Sequence, residues 1–144
     1  MASGSGGLRM AERRSMPPAH SLMELASMVR PNFAQAYEGL GIAQAETHAY
    51  REALSNLEHA RTLGVFNAVL LNYQAFALSN LRNPRKAVEL YLRALELKPD
   101  YILARLNLAM AYRDLGEREN ALRQFGKLCD SDTKLCEQFR GSFQ

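Results

Sequence analysis

The strongest constraint on the fold of this chain is an internal period of 34 residues. Small residues recur at this spacing in two columns, Gly41, Ala75 and Ala109 in the first and Ala53, Ala87 and Ala121 in the second. A fixed period of this length is typical of proteins in which each repeat is one supersecondary unit that buries its apolar face against its neighbours. The sequence therefore predicts three stacked copies of one unit.

Each unit is predicted to consist of two helices. Apolar residues recur at helical spacing on both sides of a central break. In the third unit Gly116 stands where a glycine commonly ends a helix, and in the second unit Pro84 stands where the first turn of a helix needs no N–H donor. Two helices can approach closely where one side chain is small, so we expect the alanine and glycine columns at the helix contacts.

The chain divides into six segments at these breaks. Residues 1–20 begin with MASGSGG and are interpreted as a flexible expression leader and linker. Residues 21–31 are predicted to form a short separate helix that stops before Pro31. The three units span 32–66, 67–100 and 101–132, and residues 133–144 are predicted to cap the stack.

Two stretches resemble the tetratricopeptide repeat family, NLAMAYRDLGERENALRQF at 107–125 and AVELYLRALELKPD at 87–100. The family's order of small, aromatic, glycine, alanine and aromatic residues is matched by Ala109, Tyr112, Gly116, Ala121 and Phe125. Pro99 closes the preceding unit, and the resemblance covers about residues 33–130. It implies an all-α fold, a right-handed superhelix of antiparallel helix hairpins, with the first helix of each hairpin lining a concave face that binds another protein.

The sequence departs from the family pattern at several places. Leu78 and Gln44 replace the aromatic residue of the first helix, and Thr133 replaces the proline that ends a unit. Arg82 and His48 stand where the turn glycine is expected. We expect these changes to weaken local packing and to leave the architecture intact.

The first helix of each unit supplies the predicted groove residues. They are Gln35, Glu38, Ile42 and Ala45 in the first unit, Val69, Asn72, Tyr73, Phe76 and Ser79 in the second, and Leu103, Leu106, Asn107, Met110 and Arg113 in the third. This set forms an apolar stripe with occasional amides. Many family members bind a C-terminal carboxylate through lysine, asparagine and arginine at these places, whereas Glu38 and Leu106 stand here instead.

The predicted ligand is therefore an apolar or amphipathic peptide of another protein, such as a helix laid in the groove. Asn72 and Asn107 are predicted to bond its backbone, while Phe76 and Met110 supply apolar area. On this interpretation the chain is an adaptor or chaperone-like binding module. The alternative is an assembly element that forms homo-oligomers through the same surfaces, and the apolar N-terminal segment around Leu22 is a third candidate to cover the groove.

Catalysis, metal binding and nucleic-acid binding find no support in the sequence. The chain lacks a glycine-rich phosphate loop and a nucleophile beside a base, so we expect neither an enzyme nor a cofactor. His20, His48 and His59 are too scattered for a metal site.

Residues 21–144 carry 15 basic and 14 acidic side chains in an interleaved pattern, which disfavours a one-sided basic stripe for nucleic acid. No apolar run reaches the roughly 18 residues that span a bilayer.

The two cysteines, Cys129 and Cys136, both lie near the C-terminus. If the chain reverses after the last repeat helix, their α-carbons could come within the distance that a disulfide needs. Two reduced, partly buried thiols are the alternative. The sequence leaves the compartment open between the cytoplasm and, if the leader has replaced a signal peptide, a bacterial periplasm.

Overall fold

A computed structural model describes residues 19–144, with side chains from Phe33 onward. Its helices are α1 (Ala19–Glu46), α2 (Tyr50–Thr62), α3 (Ala68–Asn80), α4 (Pro84–Leu97), α5 (Ile102–Asp114), α6 (Arg118–Ser131) and α7 (Thr133–Phe139), followed by a 3₁₀ helix (Arg140–Phe143). Each helix packs mainly on the next, so that α1–α2, α3–α4 and α5–α6 form three antiparallel hairpins that stack in order. The predicted all-α hairpin architecture is confirmed.

The two columns of small residues lie at the helix contacts, as predicted. Every member of both columns is buried. The tightest contact is at Gly41, where an added Cβ would lie 2.6 Å from Leu57 Cγ and 3.1 Å from the Ala53 carbonyl oxygen. Because no side chain fits in that space without displacing Leu57, the glycine is what allows α1 and α2 to approach.

The same backbone geometry joins the two helices of each hairpin. His48, Arg82 and Gly116 occupy equivalent turn positions, and all three adopt left-handed conformations, with φ of 71°, 68° and 77°. In each turn the following amide donates to a carbonyl five residues back, for example Asn83 N–H to the Leu78 oxygen at 2.9 Å. This pattern satisfies carbonyl groups at the end of the first helix and sets an equal reversal in all three hairpins.

Adjacent hairpins are joined by buried apolar contacts and by capped helix starts. Val88 and Tyr91 of α4 pack with Leu108 and Ala111 of α5. At the preceding junction Asn67 caps α3 by accepting from the Leu70 amide at 2.8 Å, which satisfies one of the unpaired N–H groups at the helix start. The stacking of units is therefore fixed by side chains on the flanks of the first helices.

The separate N-terminal helix predicted for residues 21–31 is wrong, because α1 runs unbroken from Ala19 to Glu46 and includes Pro31. A proline inside a helix removes one N–H donor, but the other backbone bonds of so long a helix can maintain it. The leader predicted for residues 1–20 lies almost entirely outside the described residues. From Ala19 onward, none of the helices is both long and apolar enough to cross a lipid bilayer.

The C-terminal segment folds back onto the third hairpin. Asp132 separates α6 from α7 and caps α7 by accepting from the Leu135 amide at 2.9 Å. Cys129 and Cys136 form a disulfide, with α-carbons 4.7 Å apart, that joins these two helices. Phe143 stacks on Phe125 with ring centroids 4.5 Å apart. The segment thus covers apolar surface of α5 and α6 that a further hairpin would otherwise cover.

Candidate peptide-binding groove

A cavity of about 270 Å³ lies on the face that the first helices share. Its walls come from all three hairpins and consist of Ala45, Glu46 and His48, then Asn72, Tyr73 and Phe76, then Leu103 and Asn107. Leu103 has 56% of its surface exposed, whereas Tyr73, Phe76 and Asn107 are partly exposed. The arrangement combines accessible apolar area with a few polar groups, which is the usual composition of a ligand site.

The polar floor of the groove is a chain of three side chains. Asn72 donates from Nδ2 to the Tyr101 hydroxyl oxygen at 3.2 Å, and Asn107 donates from Nδ2 to Asn72 Oδ1 at 3.2 Å. Asn72 is only 4% exposed, so its amide serves the protein rather than a ligand. The Asn107 side-chain amide uses one N–H for this contact, and its oxygen, Oδ1, remains able to accept a hydrogen bond from a bound peptide.

A further hydrogen bond joins the first hairpin to the wall of the groove. The Tyr73 hydroxyl donates to Glu46 Oε2 at 3.0 Å. Burial, together with this bond to a carboxylate, raises the pKa of Tyr73 to about 12. The Tyr73 ring is therefore held in one position as a neutral hydrogen-bond donor over the whole physiological range of pH.

Aromatic rings close the end of the cavity at the first hairpin. His48 Nδ1 lies 2.6 Å from the Tyr50 hydroxyl, and the Tyr50 ring meets Phe76 edge to face at 5.8 Å. Contacts of this kind add to the packing of partly buried rings. Phe76 thus has a structural contact as well as a face toward the groove.

Several residues predicted to line the groove lie elsewhere. Leu106 is buried in the third hairpin's core with Phe125 and Leu128, so its prediction is wrong. Met110 packs against the same cluster, and Arg113 lies 3.5 Å from the Ser142 carbonyl oxygen and 5.9 Å from the Phe143 ring centroid. Leu106 lies one period after Asn72, which is also buried, so this position of the repeat faces the core. Met110 and Arg113 lie instead beside the C-terminal segment.

The first-hairpin residues also differ from expectation. Glu38 accepts from Asn67 Nδ2 at 3.0 Å and so helps to join the first two hairpins. Ile42 packs against the core around Leu57. Val69 is exposed, as expected of a groove residue, but it lies beyond the cavity wall.

The sequence analysis does not identify Glu46 and His48 as groove residues. Glu46 lies four residues after Ile42, one turn further along the same side of α1, so extending the predicted stripe by a turn identifies it. His48 gave no periodic signal, because it follows the helix in the left-handed turn. Within the described residues no three histidine, cysteine or acidic side chains converge as a metal site.

The fold and this concave face define an α-solenoid of helix hairpins. The family described as Tetratricopeptide repeat matches residues 74–101 and 103–134. The solved structure of YrrB, described as a TPR protein with an unusual peptide-binding site, superimposes with a TM-score of 0.64 at 30% identity, covering 69% of this chain and 52% of YrrB. The chain belongs to the tetratricopeptide repeat family, and the right-handed superhelix follows.

Curated relatives extend well beyond the matched region. An Arabidopsis thaliana protein described as the inactive TPR repeat-containing thioredoxin TTL3 is 39% identical over 89 residues, which is 60% of this chain and 13% of that protein. Protein FlbA of Caulobacter vibrioides is 31% identical over 115 residues, 79% of this chain and 19% of FlbA. The chain therefore spans less than a fifth of either relative. What the match defines is a protein-interaction module, a fold that is generally non-enzymatic.

Proposed function

We propose that the groove binds an amphipathic peptide segment of another protein and that the chain acts, without catalysis, as an adaptor or chaperone-like module. The observation that carries the proposal is the exposed apolar wall of Tyr73, Phe76 and Leu103 around the amide of Asn107. YrrB, at 30% identity, is itself described as having an unusual peptide-binding site, which supports peptide binding as a function of this fold.

The apolar wall would supply most of the affinity. Leu103 projects with more than half of its surface exposed, and it faces the aromatic rings of Tyr73 and Phe76 across a space that accepts one large side chain. Burial of an aliphatic or aromatic anchor in such a space is worth about 1.5–3 kcal/mol. A ligand would therefore present large apolar residues along one side.

Asn107 would set the direction of the ligand. Its amide is oriented by Asn72, which is in turn held by the Tyr101 hydroxyl. An oriented amide can accept from a peptide N–H at little entropic cost, because its rotamer is already fixed. Asn72 is thus a positioning residue for Asn107.

An acidic C-terminal tail is a poor fit to the same walls. The cavity lining contains the carboxylate of Glu46 and contains no lysine or arginine. Arg113 donates to its neighbour Asp114 at 3.2 Å instead. A terminal carboxylate buried here would lack the cationic partner that offsets its desolvation.

Selection of random peptides displayed on phage against the full chain tests the proposal. We expect selected peptides to share large apolar residues three or four positions apart. Leu103→Glu should weaken their binding at least about tenfold, since the carboxylate would enter the apolar wall. Leu97→Glu is the matched control, because Leu97 is similarly exposed at the end of α4 and outside the groove.

Both variants should retain the circular dichroism and the melting temperature of the wild-type chain, because both leucines are exposed. Leu103 is a better probe than Phe76 or Met110, since Phe76 supports Tyr50 and Met110 packs against the C-terminal segment. Selection of peptides that depend on a terminal carboxylate, or full binding by Leu103→Glu, would contradict the proposal.

A further inference from the structure

One flank of α1 is exposed where the equivalent flanks of α3 and α5 are buried. Leu40 is 49% exposed, whereas Gln74 and Leu108, which lie one and two periods later, are 3% and 0% exposed. Ala36 and Ala43 are likewise exposed, although their equivalents in α3 and α5 are all buried, Leu70 and Ala104 for Ala36 and Ala77 and Ala111 for Ala43. The flank of α1 is therefore a stacking surface of the solenoid that no described residue covers.

This flank has the spacing of a helix-pairing seam. Phe33, Ala36, Leu40 and Ala43 follow one another at intervals of three, four and three residues, which keeps them on one side of a helix. Gly39 lies beside them with no atom within 4 Å of an added Cβ. An exposed glycine inside a helix costs about 1 kcal/mol relative to alanine, and nothing within the described chain requires it.

The seam is complementary to itself. If two copies of α1 pack antiparallel about a two-fold axis near residue 38, Leu40 meets Ala36 of the other copy and Phe33 meets Ala43. Each large side chain then faces a small one, in both halves of the contact, as an isologous interface requires. Glu38 lies on another side of the helix, where it is bonded to Asn67, so the two copies bring no pair of like charges to the seam.

The other end of the stack does not offer a competing surface of the same kind. The second helix of the third hairpin, α6, is covered in part by the C-terminal segment, whose Cys136 and Phe143 pack with Phe125 and Leu128. The disulfide holds this cover in place. A second copy that added head to tail would have to displace it, whereas two α1 flanks can meet directly.

We propose that the exposed flank of α1 is the contact of a symmetric, antiparallel homodimer. The seam of Phe33, Ala36, Leu40 and Ala43 forms its centre, and Gly39 allows close approach of the two helices. The centre of the contact lies on the flank of α1 that stacks, whereas the residues that α1 contributes to the groove, Ala45 and Glu46, lie at its C-terminal end.

Light scattering and sedimentation of the full chain across concentration test the dimer. We expect a mass that rises to that of two copies and no further. Leu40→Lys should weaken dimerisation at least about tenfold, because the ammonium group would be buried in the seam. The matched control is Leu122→Lys, the same change at a comparably exposed leucine of α6, which should dimerise normally.

A charge pair tests the antiparallel register. Ala36→Glu should also yield monomers when it is alone. An equal mixture of Ala36→Glu and Leu40→Lys chains should recover heterodimers, because the introduced carboxylate and ammonium groups then face each other while the second contact keeps the native residues.

Four results would overturn the proposal. A wild-type chain that stays monomeric at every concentration removes the contact. Growth beyond two copies, or loss of association in Leu122→Lys, assigns it to the ends of the stack instead. Mixed variants that fail to associate exclude the antiparallel register. Unchanged helicity and melting temperature of each variant keep these results separate from misfolding.

Discussion

At the residue scale, the three hairpin turns show how one backbone requirement is met by three different side chains. Gly116 satisfies the left-handed conformation without strain, because it has no Cβ. Arg82 adopts nearly the same φ with a long exposed side chain. His48 also adopts it, but its ring bonds to Tyr50, which offsets part of the cost.

Arg82→Gly should therefore stabilise the protein by about 0.5–1 kcal/mol, since glycine removes the left-handed strain at this turn. Urea denaturation monitored by circular dichroism measures the change. Arg85→Gly is the contrasting variant, because Arg85 lies in the first turn of α4 in ordinary helical conformation. It should destabilise by up to about 1 kcal/mol, and equal effects at both positions would contradict the explanation.

The neighbouring asparagines show the limit of inference from single residues. Asn72 and Asn107 were both predicted to bond a ligand, but the 34-residue period aligns Asn72 with Leu106 and Asn107 with Tyr73. The structure shows the same division, because Asn72 and Leu106 are buried, whereas Tyr73 and Asn107 are partly exposed in the groove wall. Residue type alone therefore selects both asparagines, and the register of the repeat is needed to separate the buried position from the groove position.

At the element scale, α7 depends on few contacts of its own. It has seven residues, too few for a stable isolated helix. Its order rests on the Asp132 cap, the packing of Cys136 against α6 and the disulfide to Cys129. The segment is thus a short cover whose position is determined by attachments at both of its ends.

Replacing both cysteines, as Cys129→Ser with Cys136→Ser, should lower the free energy of unfolding by about 2–3 kcal/mol, the contribution expected for a disulfide that closes so short a loop. Amide exchange should accelerate over residues 133–143 far more than in α3 and α4. Mass spectrometry of the unreduced wild-type chain checks the bond itself. Two free thiols there, or uniform loss of protection, would contradict this account.

The same element explains one error in the predicted site. Met110 lies one period after Phe76 and has the helical position of the concave face, yet it packs against the cluster that contains Cys136 and Phe143 of the returning C-terminal segment. Its path depends on the one-residue connection at Asp132, and Thr133 differs from the family pattern at the next position. Local periodicity carries no information about such a return.

At the scale of the whole molecule, four tyrosines titrate above their ordinary range. Burial is the main cause of the raised pKa at Tyr73, Tyr91, Tyr101 and Tyr112. Tyr91 is almost completely buried between α4 and its neighbours. These residues lie in the second and third hairpins, so their protonation is linked to the folding of the central stack.

Stability should fall as the pH rises from about 10 toward 12. The unfolded chain loses its phenolic protons near pH 10, while the folded chain keeps them, so the folded state binds more protons in this window. Tyr91, which is almost completely buried, should lower the free energy of unfolding by up to about 1.4 kcal/mol per pH unit, and the more exposed tyrosines by less. Urea unfolding at a series of alkaline pH values measures the slope.

Tyr91→Phe keeps the buried ring and removes one titrating group, so it should reduce that slope by about one proton. A slope that is the same in wild type and Tyr91→Phe would exclude this residue as a cause of alkaline unfolding.

The global architecture was the most predictable level of this protein. The alanine and glycine columns determine how closely helices pack, and close packing repeated at one period leaves few arrangements other than stacked hairpins. The sequence also predicts a cap at residues 133–144, whereas it does not predict the continuous α1, because the start of this helix lies outside the repeating register. The sequence-based predictions and the structure therefore differ most at the ends of the repeat array.

The disulfide-held cover has a consequence for protein engineering. Because the C-terminal segment covers part of one terminal surface while no described residue covers the flank of α1, the two ends of the solenoid differ, and grafted hairpins should be accepted more readily in front of α1. Lengthening it at the other side would first require excision of residues 133–144. Arrays built from this scaffold would thus have a defined stopping point and a preferred direction of growth.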